Sequence, residues 1–214
     1  MPARPERIAI VGTGGHGREI AWLAEQVGVA RDKIAFVVHE RFRVDDVLDG
    51  LRVHTLESGS CDGWPYIVAV GDPCMRQHLA RECEARRMEA ITLVHPDVAL
   101  HSTVSLGLGV VISAGAILTV NVTLADHVHV NVGATISHDC VVGRSSTISP
   151  GAHIAGHVHI GERVFVGIGA IVRNGTANSP LLIGNDATVA AGACVVRHVQ
   201  PSTVVMGVPA KVRR

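Results

Sequence analysis

Leu118-Thr119-Val120-Asn121-Val122-Thr123-Leu124-Ala125-Asp126-His127-Val128-His129-Val130-Asn131-Val132-Gly133-Ala134-Thr135-Ile136-Ser137-His138-Asp139-Cys140-Val141-Val142 is the stretch that decides the architecture. An aliphatic residue recurs every sixth position, at Leu118, Leu124, Val130, Ile136 and Val142. Four residues after each of the first four comes a small or β-branched residue: Val122, Val128, Ala134 and Cys140. The same spacing reaches back through Ile112, Leu106 and Leu100 to Val94, and forward through Ile148, Ile154, Ile160 and Val166 to Val172. After a longer step it resumes at Ile183, Val189 and Val195, giving seventeen aliphatic positions without a miss. Neither the 3.6-residue period of a helix nor the two-residue period of a strand produces this pattern. A solenoid does. Each hexad is a short strand and a corner, the aliphatic residue points inward, and the small residue fits where the turning chain leaves little room. Three hexads close one triangular coil, and each coil buries its apolar edge against the next.

The longer step, from Val172 to Ile183, carries five extra residues. They fall in Arg173-Asn174-Gly175-Thr176-Ala177-Asn178-Ser179-Pro180, whose polar, Gly- and Pro-containing composition reads as a surface loop. It is either a tolerated insertion or one wall of a binding cleft.

Residues 7–93 follow a different pattern. Ile8 to Val11 is a short apolar strand, followed by Gly12-Thr13-Gly14-Gly15-His16-Gly17 and a helical stretch from Arg18 to about Val27. Ile34 to Val38 reads as a second strand and Tyr66 to Val70 as a third, which ends in Gly71-Asp72-Pro73 before a helix to about Arg87. Strands alternating with helices point to a small parallel sheet, with ligands expected at the loops after its strands. The expected division is therefore 1–93, a half-Rossmann-like α/β domain, and 94–214, a parallel β-helix with a C-terminal tail. The glycine turn matches G-x-G-x-x-G through Gly12, Gly14 and Gly17, a pattern that lets a backbone approach a phosphate at a helix N-terminus. A dinucleotide normally requires about twice as much protein, so a nucleotide-sugar diphosphate is the better match; a turn without a ligand is the alternative.

Composition excludes several classes. Lys plus Arg and Asp plus Glu both number 19 in 214 residues, and no long run of one sign occurs, so a nucleic-acid partner is not indicated. No stretch reaches the roughly 20 apolar residues of a membrane span. Met1 to Arg7 runs into the first strand without a signal-peptide apolar region. The five cysteines (61, 74, 83, 140 and 194) are odd in number and form no C-x-x-C pair, which argues against a disulfide framework or a zinc knuckle. A cytoplasmic location with reduced thiols is expected.

Taken together, certain motifs are similar to those of one family. They are Gly14-Gly15-His16-Gly17, Ala69-Val70-Gly71-Asp72, Val94-His95-Pro96, Ile136-Ser137-His138-Asp139-Cys140, Ala155-Gly156 and Gly207-Val208-Pro209-Ala210-Lys211. In order and spacing the chain resembles the hexapeptide acyltransferases that include nucleotide-4-amino-sugar N-acetyltransferases and sialic-acid O-acetyltransferase-like proteins, over nearly its whole length. The resemblance implies a left-handed β-helix, a homotrimer with active sites between neighbouring helices, and acetyl-CoA as co-substrate. It implies His138 as general base with Asp139 beside it, and Gly156, eighteen residues later, as donor of a backbone N–H to the thioester carbonyl. Asn131, Gly156, Asn174, Gly175, Pro209 and Lys211 are the expected cofactor contacts. Gly14, Gly15, His16, Gly17, Gly71 and Asp72 are the expected contacts to a nucleotide-linked sugar. Where relatives that bind a UDP-sugar carry acidic residues just after the second strand, this chain has Val38-His39-Glu40-Arg41. The base, the sugar, and whether an amine or a hydroxyl is acetylated stay open, as does a non-catalytic sugar-binding trimer.

The implied chemistry suits the residues. Histidine titrates near neutrality and serves as a base, a carboxylate orients its ring, and a backbone N–H stabilises an oxyanion. Cys140 occupies an inward hexad position and reads as core rather than nucleophile. The histidines of the middle coils (127, 129, 138, 153, 157 and 159) raise the question of a metal. Carbonic anhydrases on this fold use two ligands five residues apart, a spacing absent here, so no catalytic metal is expected and most of these histidines are read as surface or interface residues. The basic tail Lys211-Val212-Arg213-Arg214 is read either as a contact for CoA phosphates or as a solvated end.

Overall fold

The computed structural model describes residues 5–213; Met1 to Arg4 of the N-terminal reading and Arg214 of the basic tail lie outside the described residues. The chain divides into two compact units, one up to His95 and one from Pro96.

The first unit is a six-stranded sheet with two helices. Its elements are β1 (Ile8–Val11), α1 (Gly15–Gln26), β2 (Ile34–Val38), β3 (Val47–Leu48), β4 (Leu51–Thr55), β5 (Pro65–Val68), α2 (Pro73–Ala85) and β6 (Glu89–Ala90). The strand order is β3-β4-β2-β1-β5-β6. All neighbours run parallel except β3 and β4, which form a hairpin. Every residue of β1 and β2 is buried, as strands covered on both faces require. From β1 the chain goes to β2 on one side and later to β5 on the other. This reversal makes the crevice beyond the C-terminal ends of β1 and β5 a topological switch point.

Three sequence expectations are corrected here. Helix α1 starts at Gly15, not Arg18, because Gly15-His16-Gly17 already form its first turn, with extended Gly14 as N-cap. Strand β5 stops at Val68, and helix α2 ends at Ala85. The β3–β4 hairpin was not anticipated. Its turn is Asp49-Gly50, both residues with positive φ (49° and 77°). The following Leu51-Arg52-Val53-His54-Thr55 alternates buried with more exposed residues, so an Asp-Gly hairpin signal was present in the sequence.

In the second unit, two- and three-residue strands stack into three parallel sheets. One column shows the register: Leu118, Ile136, Ile154, Val172 and Val195 pair in succession, all inward and at most 4% exposed. Each such fully buried side chain contributes about 1.5–3 kcal/mol. The small hexad positions, among them Ala134, Cys140, Ala152 and Ala170, are also fully buried. Only the first coil departs from the pattern: Leu100, Val104 and Leu106 are half-buried, as at the end of a stack. The insertion leaves the register intact, because Ile160 pairs with Ile183 across it. Lys211–Val212 folds back antiparallel on Val204–Met206.

Candidate active site

The corner after strand Thr135–Ile136 builds the central cluster. Asn121, Asp139 and His157 are spaced eighteen residues apart in the sequence and occupy the same place on successive coils. Their φ values are 56°, 58° and 55°. That left-handed region is the one Asn, Asp and His populate most readily among residues with side chains. The carboxylate of Asp139 accepts the Asn121 side-chain amide at 2.9 Å and meets His138 Nδ1 at 2.8 Å. His157 Nε2 stands 3.7 Å from the same oxygen that faces His138. The Asn121 amide, then the His138 contact, hold the Asp139 carboxyl below the usual carboxylate range. An ionised carboxylate only accepts, so His138 Nδ1 is the donor in this pair, which in a neutral imidazole leaves the lone pair on Nε2.

His138 points outward, with its side chain about half exposed (52%). Its ring lies flat over Gly156: a Cβ on Gly156 would sit 2.4 Å from Cε1 and 2.5 Å from Nε2. The Gly156 carbonyl accepts from the Gly175 N–H at 3.0 Å, while its own N–H, although the residue is buried, has no acceptor among the described residues. Cys140 points into the prism, its Sγ against the Ala155 carbonyl at 3.1 Å, and burial raises its thiol pKa. It is core, not a nucleophile.

Residues 173–180 form a short hairpin, with Thr176 and Ser179 exchanging both backbone hydrogen bonds at 3.0 Å. Gly175 permits the tight passage, since a Cβ there would lie 2.4 Å from the His157 carbonyl oxygen. Beside the hairpin runs an open groove of about 300 Å³, lined by Arg173, Asn174, Gly175, Ser179, Arg197 and His198 among others. Arg173, Arg197 and His198 were not among the expected contacts, although the resumed register pairs Val172 with Val195 and so sets Arg173 beside the chain leading to Arg197. Asn131 lies at the preceding corner, at the far end of strand Thr135–Ile136 from His138, and donates to the Ile148 carbonyl at 3.1 Å. Pro209 follows a cis peptide bond in the tail, and Lys211 lies in the closing strand.

At the switch point of the first unit the glycine turn and the Gly71-Asp72 turn come together. Gly17 is forced by close packing, because a Cβ there would meet the Gly12 carbonyl oxygen at 2.2 Å. Gly14 and Gly15 face open space. Asp72 caps α2, accepting from the Met75 N–H at 2.7 Å. Arg76, fully buried, donates to the carbonyls of Val70 and Gly71 at 2.7 and 3.3 Å. Burial lowers its pKa to about 9. His16 is held below its ordinary pKa mainly by burial, against the opposing pull of Glu19.

Most of the helix histidines are exposed or half-buried, as expected, and two are not. His127 and His129 are 4% and 1% exposed. His127 lies over Gly109, where a Cβ would come within 2.3 Å of its Nδ1.

A parallel β-helix with this outward His–Asp pair defines the class of hexapeptide-repeat acyltransferases. The PglD N-terminal domain family model matches residues 7–83. GDP-perosamine N-acetyltransferase of Escherichia coli O157:H7 is 31% identical over 184 residues, covering 82% of this chain and 81% of the relative. PerB from Caulobacter crescentus, solved in complex with CoA and GDP-perosamine, is 30% identical, with a TM-score of 0.86 and 97% of each chain covered. The acetyltransferase domain of PglB from Neisseria gonorrhoeae FA1090, solved with acetyl coenzyme A, is 32% identical, with a TM-score of 0.86, covering 98% of this chain and 100% of that one. The chain belongs to the family of left-handed β-helix, acetyl-CoA-dependent nucleotide-sugar acetyltransferases that contains these proteins. No helix among the described residues is long and apolar enough to cross a membrane.

Proposed function

We propose that this protein transfers the acetyl group of acetyl-CoA to the amino group of a GDP-linked amino sugar of the perosamine type. The relatives bound to or named for GDP-perosamine support the choice of acceptor. The observation that carries the mechanism is buried Gly156, which packs against the imidazole of His138 and whose N–H has no acceptor among the described residues, while His138 Nδ1 is held by Asp139.

The sugar amine attacks the thioester carbonyl directly. As the C–N bond forms, the amine proton passes to His138 Nε2 and the carbonyl oxygen becomes an oxyanion. The Gly156 N–H donates to that oxyanion, and the Asp139 carboxylate supports the imidazolium. Collapse breaks the C–S bond, and the proton on His138 leaves with the CoA sulfur. The groove beside Arg173 and Arg197 takes the CoA chain, with Asn131, Asn174, Gly175, Pro209 and Lys211 as further contacts. The switch point of the first unit, through Gly14 to Gly17, Gly71 and Asp72, takes the nucleotide diphosphate at the α1 N-terminus, whose positive dipole end favours an anion. The working unit is a homotrimer.

The test is purified protein with acetyl-CoA and GDP-perosamine, followed by thiol release and mass of the sugar product. Gain of one acetyl group on nitrogen is expected. No turnover with any nucleotide-linked amino sugar, or acetylation on oxygen only, would refute the assignment.

A further inference from the structure

We propose that His138, Asp139 and His157 form a binding site for one zinc-class divalent cation, and that occupying it switches the enzyme off. The inhibitory half rests on the function proposed above; the binding half does not. Among the described residues this is the one group of three side chains whose ligand atoms, two imidazole nitrogens and a carboxylate oxygen, all lie within 4.8 Å of one another. The two rings meet edge to face, with centroids 5.1 Å apart and planes at 85°. They thus converge on a shared space rather than stacking. The second oxygen of Asp139 is already fixed by the Asn121 amide at 2.9 Å, the kind of outer hydrogen bond that orients a ligating carboxylate. The backbone is fixed as well, because the His157 N–H donates to the His138 carbonyl at 3.0 Å.

The three side chains are 52%, 37% and 26% exposed, so a cation can enter and water can complete its coordination. Two imidazoles and one carboxylate suit zinc and its neighbours, not magnesium or calcium. A bound cation takes lone pairs from both imidazoles and the oxygen that now faces His138 Nδ1. The pair that works as a base is thereby removed, so the cation is a brake and not a cofactor. His157 has no part in the proposed acetyl transfer. Asparagine, which already occupies the same corner two coils away at Asn121, fits the left-handed conformation there.

The experiment strips the full-length protein of metal with a chelator and titrates it with Zn²⁺ against a zinc indicator, with Co²⁺ absorption as a second readout. One cation per chain is expected in the wild type, with affinity reduced at least about tenfold in His157→Asn and no competition from Mg²⁺. Zn²⁺ is further expected to stop acetyl transfer reversibly in the wild type and to do so far less in His157→Asn. Equal Zn²⁺ affinity in the two proteins, or no binding by either, overturns the proposal. Binding that depends on His157, in a protein that acetylates no amino sugar, would leave the site standing and remove the proposed function instead.

Discussion

The imidazole of His138 occupies the space a side chain at position 156 would need: a Cβ on Gly156 would lie 2.4 Å from its Cε1. One glycine thus does two things. It lets the ring lie against the next coil, and its own N–H has no acceptor among the described residues. Gly156→Ala is expected to push the exposed ring outward with little loss of stability, because the obstructing atoms end a movable side chain. Activity should fall by about 10²–10⁴-fold, the range for losing a general base, because the ring is displaced while the backbone N–H remains. An unchanged kcat with an unchanged melting temperature would separate Gly156 from the chemistry.

His138→Ala is expected to lower kcat by about 10²–10⁴, the usual range for a general base. KM for acetyl-CoA should move little, since the imidazole acts on the acceptor in the transition state. Asp139→Asn should do less damage, as the ring remains and Asn121 still faces the substituted side chain. Steady-state kinetics at several pH values distinguish these outcomes; full activity in His138→Ala would disprove the assignment.

The groove beside the 173–180 hairpin carries two guanidinium groups that suit the phosphates of CoA. Arg173→Ala combined with Arg197→Ala should raise KM for acetyl-CoA while leaving nucleotide-sugar binding intact. Calorimetry with CoA and with the nucleotide sugar in separate titrations checks both halves.

Gly14 has no neighbouring atom within 4 Å and an ordinary φ of −68°. Gly14→Val should therefore fold normally, yet obstruct close approach of a phosphate to the turn. A higher KM for the nucleotide sugar with unchanged CoA affinity is expected. Unaltered kinetics with both substrates would count against a ligand at this turn.

His16 gives a pH dependence of stability with a definite sign. Burial lowers its pKa in the folded protein below the ordinary value of 6.5. The unfolded chain then binds the proton first, so stability falls as pH drops below about 6.5, through the depressed folded value, and is retained above it. Thermal melts from pH 7.5 to 5 should show a steeper loss for the wild type than for His16→Gln. Parallel curves would place the acid sensitivity elsewhere.

The apolar side chains Val132 and Val141 are 40% and 41% exposed in the single chain, and Ile117 and Ile171 more so. The expected homotrimer covers part of this surface. Light scattering should give three times the chain mass, and a stable, active monomer would contradict it.

Much of this protein was legible before any coordinates. Six-residue periodicity fixes which side chains point inward, because every coil repeats the same geometry. The same repetition makes residues eighteen apart neighbours, so the placement of His138 against Gly156, and the inward position of Cys140, followed from counting. The arithmetic fails where repetition fails. The insertion after Val172 stretches the coil from eighteen to twenty-three residues, so Arg173 and Arg197 come onto neighbouring coils only once the 173–180 hairpin is looped out of the count. In the first unit the Asp49-Gly50 turn was readable as a hairpin signal, but its pairing with β2 through β4 depends on long-range strand contacts. Counting also aligns His157 with Asp139 and Asn121. Only the tertiary structure turns the His157 ring toward the carboxylate that His138 already uses, because side-chain rotamers at a corner are chosen by what lies on the adjoining coil. The burial of Arg76 beneath the Gly71 turn belongs to the same kind. A sequence shows a charged residue on a helix; packing alone decides that its guanidinium ends among backbone carbonyls at the sheet's switch point.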